Sequence, residues 1–149
     1  MADHLRRQIR EGIATAVTGL TTTGSRVFQS RVYPLEVADL PGLLVRSSSE
    51  VVEVMTIHAP RLQQRSVNVE VVAVARATSD LDDTLDEICK QVEIALAMPV
   101  TALAGKAKNV SLASTEIELT GGAERPVGTA TMTYVVEYFA FENAPDVAQ

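Results

Sequence analysis

Two histidines, one cysteine and one group of carboxylates are the residues of this sequence whose types could support catalysis or metal binding. His4 and His58 lie far apart, and neither has a carboxylate or a cysteine at the spacing of a metal site. We therefore interpret both as surface histidines. Cys89 lies beside an apolar helical stripe in an acidic stretch, where the pKa of a thiol is raised. This setting indicates a small buried hydrophobic residue rather than a catalytic thiol.

The carboxylates recur at i, i+3 and i+4 on one face of a predicted helix; they are Asp82, Asp83, Asp86 and Glu87. Such a group could hold a metal ion, but acids near a helix N-terminus are more often a solvated face that the helix dipole favours. The sequence has neither a glycine-rich phosphate loop nor a nucleophile elbow, and Gly121-Gly122 lacks a lysine partner. We therefore expect no catalytic residue, no metal site and no cofactor.

One strand and one helix form the central packing unit to which the other elements are added. Residues 66–77 read SVNVEVVAVARA, and this alternation of apolar and other residues predicts a strand with one buried face. Apolar residues then recur at steps of three and four, which predicts a helix that ends before Pro99. Its buried stripe consists of Leu81, Leu85, Ile88, Val92 and Leu96.

The remaining pattern predicts a first helix and four more strands. Asp3 can cap the helix, which reaches about Val17. Alternation and turn residues predict strands at residues 26–33, 40–46, 111–119 and 129–141. The order helix, three strands, helix, two strands predicts an α+β fold. Its two helices pack on one face of a mainly antiparallel mixed sheet of about five strands.

Residues 47–65 are the ambiguous part of the chain. Their valines favour a strand, whereas the serines before them and the polar residues after them are typical of a loop. We interpret the segment as a long, mobile hairpin between two strands. Loops of this length in a compact domain are usually functional or disordered.

Length and composition favour one domain in a reducing compartment. The chain has 149 residues, of which 46% are hydrophobic and only one is cysteine. We assign residues 1–142 to a single domain and residues 143–149 to a flexible tail. The N-terminus has no signal-peptide pattern, and no apolar run approaches the ~18 residues of a membrane span. We therefore expect a soluble protein that starts in a cytoplasm.

Charge is distributed unevenly between the two predicted helices. The net charge of −6 argues against a nucleic-acid-binding surface. Residues 1–31 hold five arginines against two acids, a net of +3, whereas residues 78–98 hold six acids against one lysine, a net of −5. One helix is therefore basic and the other acidic.

Opposite charges on two helices suggest contact between copies of the chain. A heterologous interface joins one patch of a subunit to a different patch of the next, as in rings. We hypothesise that three arginines of one copy approach the carboxylate group of its neighbour; these arginines are Arg6, Arg7 and Arg10. The alternative is that both are solvated helix faces.

The order of elements and three stretches resemble the tail terminator family of long-tailed, lambda-type bacteriophages. The Leu40-Pro41-Gly42-Leu43-Leu44-Val45 run resembles that family's hydrophobic–Pro–hydrophobic strand start. The strand and acidic helix between Val67 and Leu96, with an Asp-Leu-Asp-Asp opening, are similar to its central unit. The stretch Thr133-Tyr134-Val135-Val136-Glu137-Tyr138 is similar to its closing strand. The resemblance covers nearly the whole chain.

The resemblance implies a structural protein of the virion, in the neck region of the tail, that assembles in the host cytoplasm. Such a protein forms a ring, expected to be a hexamer, on the last ring of the major tail tube protein. It ends polymerisation and presents the surface for a head-completion or neck protein. DNA passes through the ring, and an acidic chain does not retain it. The residues expected to order on contact with a partner are Arg61, Gln63, Gln64 and Arg65.

Three other functions remain open at this point. A head-closure or tail-completion neck protein has similar size, charge and element order. A small enzyme or ligand-binding domain would show a deep polar pocket. Nucleic-acid binding is disfavoured by the charge balance, although the arginines of the first helix are compatible with it.

Overall fold

The computed structural model describes residues 2–29, 40–76, 79–97, 103–120 and 127–149, and it confirms the predicted element order. The strands form one sheet in the order β1-β2-β3-β5-β4, with β1 parallel to β2 and the other pairs antiparallel. The predicted α+β fold with a five-stranded mixed sheet is therefore confirmed. The elements are α1 (Leu5–Ala16), β1 (Val27–Gln29), β2 (Gly42–Val54), β3 (Leu62–Arg76), α2 (Leu81–Ala97), β4 (Asn109–Thr120) and β5 (Val127–Phe141).

The predicted central unit, β3 followed by α2, lies in the middle of the sheet. Val67, Val69 and Val71 of β3 have no exposed surface, as their period of two predicted. The apolar stripe of α2 is buried over them in the same hydrophobic cluster. Burial of a large apolar side chain stabilises a fold by about 1.5–3 kcal/mol. This strand and this helix therefore supply much of the core.

The two helices divide one face of the sheet between them. α1 packs on β1 and β2, whereas α2 packs on β3, β5 and β4. The N-terminus of α2 lies so close to β5 that a Cβ on Gly128 would be 2.6 Å from Leu81 Cδ2. Only glycine fits beneath this leucine without a shift. Each helix therefore covers one half of the sheet.

α1 is capped by His4 and not by Asp3, so that prediction was wrong. Nδ1 of His4 accepts a hydrogen bond of 3.0 Å from the Arg6 backbone N–H. The Asp3 carboxylate instead pairs with Arg7 at 3.1 Å and is not directed at the helix end. His4 is half-buried, which corrects its assignment to the surface, whereas His58 is exposed as predicted.

Residues 47–65 form two long strands and a short connection. β2 continues to Val54 and β3 begins at Leu62, so only residues 55–61 connect the strands. Gln63, Gln64 and Arg65 lie within β3, where they pair with β2 on one side and β5 on the other. Their assignment to a loop was wrong. β5 extends far enough along β3 to supply backbone partners that the local sequence does not reveal.

Residues 143–149 lie against α1 and β5. The Leu5 N–H donates to the carbonyl of Pro145 at 2.9 Å, and the Gln149 N–H donates to that of Phe139 at 2.9 Å. That this segment is a flexible tail, and that the domain ends at residue 142, stay predictions. Predictions for residues 30–33, Pro99 and Gly121-Gly122 lie outside the described residues.

Candidate assembly surfaces

The arginines of α1 contact partners within their own chain. Nη1 of Arg6 lies 3.1 Å from Oε1 of Glu50 on β2, and the Nε–H of Arg10 donates to Gln29 on β1 at 3.3 Å. Arg6 and Arg10 therefore lie on the flank of α1 beside the β1–β2 end of the sheet. Arg7 pairs along the helix with Asp3 and Glu11 and is about half exposed.

The acids of α2 are all exposed, as predicted, and Glu87 has partners on its own helix. Its carboxylate lies 3.0 Å from the Lys90 ammonium and accepts a 3.2 Å hydrogen bond from Gln91. The hydrogen bond from Lys90, followed by that from Gln91, lowers the pKa of Glu87. Gln91 is also bonded to Thr22, just after α1. Glu87 therefore lies on the side of α2 nearer to α1.

The opposite flank of α2 carries acids near β5. Burial raises the pKa of the Cys89 thiol to about 11, and the charges of Glu93 and Asp86 raise it further. Glu93 also adds to the raised pKa of Tyr134 on β5, whose main cause is burial. Cys89 is buried, as predicted. A thiol protonated at neutral pH is a weak nucleophile, so its environment supports a packing role.

The arginines and the acids are not brought together within one chain. α1 covers the β1–β2 end of the sheet and α2 covers the half that ends at β4. Arg6 and Arg10 lie on the outer flank of the first half. An α-helix has about 3.6 residues per turn, so Asp82 and Asp86 lie on the same side of α2 as Glu93. This is the side of the helix that faces β4. The two charged flanks therefore lie at opposite ends of the subunit.

A buried ion pair that the sequence analysis missed ties β2 to β3 and β5. The Glu50 side chain is 6% exposed, and its Oε1 lies 3.3 Å from Nη1 of Arg65, which is 11% exposed. The Tyr138 O–H donates to the other carboxylate oxygen at 2.5 Å. With Arg6 as a third partner, three donors contact this carboxylate. Three of its roughly four acceptor sites are therefore occupied, which supports a structural role.

Arg65 is held on its other sides by two further residues. Gln63 Oε1 accepts hydrogen bonds from Nε and Nη2 of Arg65 at 3.2 and 2.7 Å. His4 Nε2 lies 3.3 Å from Nη1 of the same guanidinium. Burial, followed by the charge of Arg6, lowers the pKa of His4. The alternation that places Val67 on the buried face of β3 also places Arg65 and Gln63 there when it is continued towards the N-terminus. This was the sequence signal that could have revealed them.

Exposed apolar side chains are concentrated at two places on the sheet. One is the end of the β2–β3 hairpin, with Val51, Val52, Val54, Met55 and Ile57. The other is β4, where Leu112, Ile117 and Leu119 are between 38% and 74% exposed. Exposed apolar residues that cluster on strands mark sites of interaction or aggregation.

Both places lie on strands that have a single strand neighbour among the described residues. β1 pairs with β2 only at Leu43–Val45, so residues 47–54 of β2 have β3 as their one neighbour in the described part of the chain. β4 likewise pairs with β5 alone among those residues. Unpaired backbone groups along a strand can pair with a strand from another chain.

The described ranges contain no group of three or more histidine, cysteine or acidic residues placed to hold a metal ion. Within the same ranges, no helix is long and apolar enough to span a membrane.

No family model matches the chain, and no curated protein matches it. Among solved structures, it is similar to a chain from the virion of a native gene transfer agent particle, with 16% sequence identity and a TM-score of 0.43. The match covers 90% of this chain and 92% of the other. A likeness of this size carries no argument about function.

Proposed function

We propose that the protein is a structural component of a virion. It caps the tail tube of a long-tailed phage as a hexameric ring, ends tail polymerisation and provides the surface that joins the head. The observation that carries this proposal is the position of two oppositely charged flanks at opposite ends of one sheet. Such a subunit suits a head-to-tail interface, which closes into a ring when the rotation between copies allows it. The sequence resemblance supplies the tail terminator role.

The charged helices fix the order of subunits in the proposed ring. In a head-to-tail array, α1 of one copy lies beside α2 of the next, so that Arg6 and Arg10 face Asp82 and Asp86 of the neighbour. Exposed ion pairs contribute only about 0–1 kcal/mol each. They therefore steer and orient the subunits, while the main affinity comes from other contacts. The predicted set also includes Arg7, Asp83 and Glu87. Within one chain, Arg6, Arg7, Arg10 and Glu87 each have a polar partner, which they would share or exchange in the ring.

The end of the β2–β3 hairpin is the surface that we assign to the tail tube protein. Of the four residues predicted to contact a partner, Arg61 lies in the connection, and its side chain is 49% exposed. Met55 and Ile57 beside it are 48% and 87% exposed. Arg65 stabilises the base of the hairpin from within, so its contribution to a partner contact is indirect. An apolar tip with one cation fits a protein surface better than it fits DNA.

Arrest of tube growth tests the proposed function. The purified protein is added to polymerising major tail tube protein of the same phage, and tube lengths are measured in electron micrographs. We expect growth to stop and lengths to fall as the amount of added protein rises. Tubes that grow as long as those without the protein would contradict the terminator role. A head-side neck component would give that negative result, so the assay also separates the two functions.

Charge reversal tests the proposed order of subunits. The double variant Asp82→Lys/Asp86→Lys should weaken self-assembly about tenfold, since two pairs of up to ~1 kcal/mol each are lost. The variant Arg10→Glu should weaken it less, and mixing the two variants should restore part of the assembly. Light scattering measures the assembly state. An unchanged state in both variants would contradict the charged contact.

A further inference from the structure

The segment that follows β5 folds back against that strand. The Ala144 N–H donates to the Phe141 carbonyl at 2.9 Å, so the chain turns directly after the strand ends. The Gln149 N–H then donates to the Phe139 carbonyl at 2.9 Å. Residues 142–149 therefore form a strap that leaves the end of β5 and returns to its side.

The strap takes the place of β4 beside the end of β5. β4 begins at Asn109, and the Lys108 N–H just before it donates to the Glu137 carbonyl at 2.7 Å. Alternate residues of an antiparallel strand direct their carbonyls to the same neighbour, so Phe139 is the next acceptor on this side of β5. It receives the N–H of Gln149. The strap therefore satisfies a backbone group that β4 does not reach.

The strap also holds the first turn of α1. The first four N–H groups of a helix have no partner within the helix. The Pro145 carbonyl of the strap accepts a hydrogen bond from the Leu5 N–H at 2.9 Å. The Asp146 carbonyl accepts another, from the side-chain amide of Gln8, at 3.3 Å. The strap therefore helps to order the turn from which Arg6 projects.

At its other end the strap is joined to the connection between β2 and β3. The Glu142 N–H donates to the Arg61 carbonyl at 2.9 Å, and the Glu142 carboxylate lies 3.7 Å from Nη1 of Arg61. Only two residues separate Glu142 from Pro145, which holds Leu5. Movement at the connection therefore acts on the helix end through a short piece of chain that is fixed at both positions.

We infer that the strap couples the β2–β3 connection to the first turn of α1. A partner that orders the connection stabilises the closed strap, and the closed strap holds Arg6 in position for the neighbouring subunit. The inference rests on the proposed function for the identity of these partners, which are the tail tube protein and a second copy of the chain. Coupling between two binding sites is reciprocal, so ring contact through α1 also favours binding to the tube. Subunits on the tube therefore join one another more readily than free subunits do.

Hydrogen exchange at the Leu5 amide tests whether the strap is closed. This amide is bonded to the strap, so its exchange rate measures how often the strap opens. We expect exchange to be roughly tenfold or more slower than at a free amide, and to reach the free rate in a variant that ends at Glu142. The Val69 amide in β3 should stay protected in both proteins. Mass spectrometry with electron-transfer fragmentation reads single amides. Exchange of Leu5 at the free rate in the wild type, as a flexible tail would give, would overturn the inference.

A charge swap tests the link between the strap and the connection. Glu142→Lys sets a like charge beside Arg61 and should speed exchange at Leu5 by up to about fivefold, since the ion pair is partly exposed. Arg61→Glu/Glu142→Lys should restore slow exchange, because it recovers opposite charges. Glu118→Lys, at an exposed position opposite the start of β5, is the matched control and should leave the rate unchanged. An unchanged rate in Glu142→Lys, or fast exchange that persists in the swapped variant, would contradict the coupling.

Assembly of the shortened variant separates the inference from the proposed function. The variant that ends at Glu142 should form rings only at higher concentrations than the wild type, as measured by sedimentation, because the turn that carries Arg6 is less ordered. Unchanged assembly would contradict the role of the strap in ring contact. If the wild-type protein forms rings and arrests tube growth while its Leu5 amide exchanges freely, the strap inference is wrong and the proposed function stands. If the Leu5 amide responds as expected but the rings never arrest growth, the proposed function is wrong and the coupling stands.

Discussion

Replacement of Glu50 by alanine should destabilise the protein strongly, because its carboxylate is the shared partner of a buried arginine and a buried tyrosine. The substitution leaves the guanidinium of Arg65, 11% exposed, without its carboxylate, and the Tyr138 hydroxyl without its acceptor. Removal of one partner of a buried pair costs about 3–5 kcal/mol. Arg65 keeps its bonds to Gln63, and Arg6 is 45% exposed, so the loss should lie near the lower end. We expect about 3 kcal/mol.

Urea unfolding followed by circular dichroism measures this loss. The transition midpoint should fall with an unchanged slope. In a thermal scan the midpoint should fall by roughly 6–12 °C, since ~1 kcal/mol corresponds to ~2–4 °C for a chain of this size. Glu53→Ala is the matched control, because Glu53 lies on the same strand but is exposed, and it should stay within about 0.5 kcal/mol of the wild type. A Glu50→Ala variant as stable as that control would refute the reasoning.

Three further predictions concern packing and titration. Gly128→Ala should cost about 1–3 kcal/mol in urea unfolding, because its Cβ would press on Leu81, and the smaller side chain in Leu81→Ala/Gly128→Ala should remove that clash. The folded-state pKa of His4 is lowered, so the unfolded chain binds the proton more readily, and the neutral ring caps α1. The free energy of unfolding of the wild type should therefore exceed that of His4→Ala by its full amount above pH ~6.5, and this difference should shrink as the pH falls below that value. An equal difference at pH 5 and pH 8 would contradict this. Cys89, with a pKa of about 11, should react with a thiol reagent at pH 8 only as fast as the protein unfolds, and rapid labelling of the folded protein would contradict its burial.

The sequence predicted the part of the fold whose residues repeat with one clear period. β3 and α2 each bury one side, so alternation and a helical stripe were sufficient to assign them. The hairpin end was misassigned because Val51 and Val52 are both exposed, and strand signals weaken when neither face is buried. Its second strand, β3, gains partners from β5, which lies more than sixty residues further along the chain. Local patterns contain no information about that pairing.

The assembly surfaces could be predicted only in part for the same reason. Charge runs revealed the basic and acidic helices, since their residues are close in sequence. The Glu50–Arg65 pair was missed because it depends on how two strands and a helix meet. Arg65 was assigned to a partner contact because an arginine beside glutamines is typical of an exposed loop. Its position opposite Tyr138 is a property of the sheet register alone.

The central claim is that this protein acts through the fit of its surfaces to copies of itself and to the tube. Cryo-electron microscopy of tail tubes assembled with the purified protein tests that claim most directly, through averaging of the tube ends. We expect one ring of six copies on a tube end, with each subunit in contact with the next. Bare tube ends in the presence of excess protein, or single copies bound without contact to one another, would contradict it.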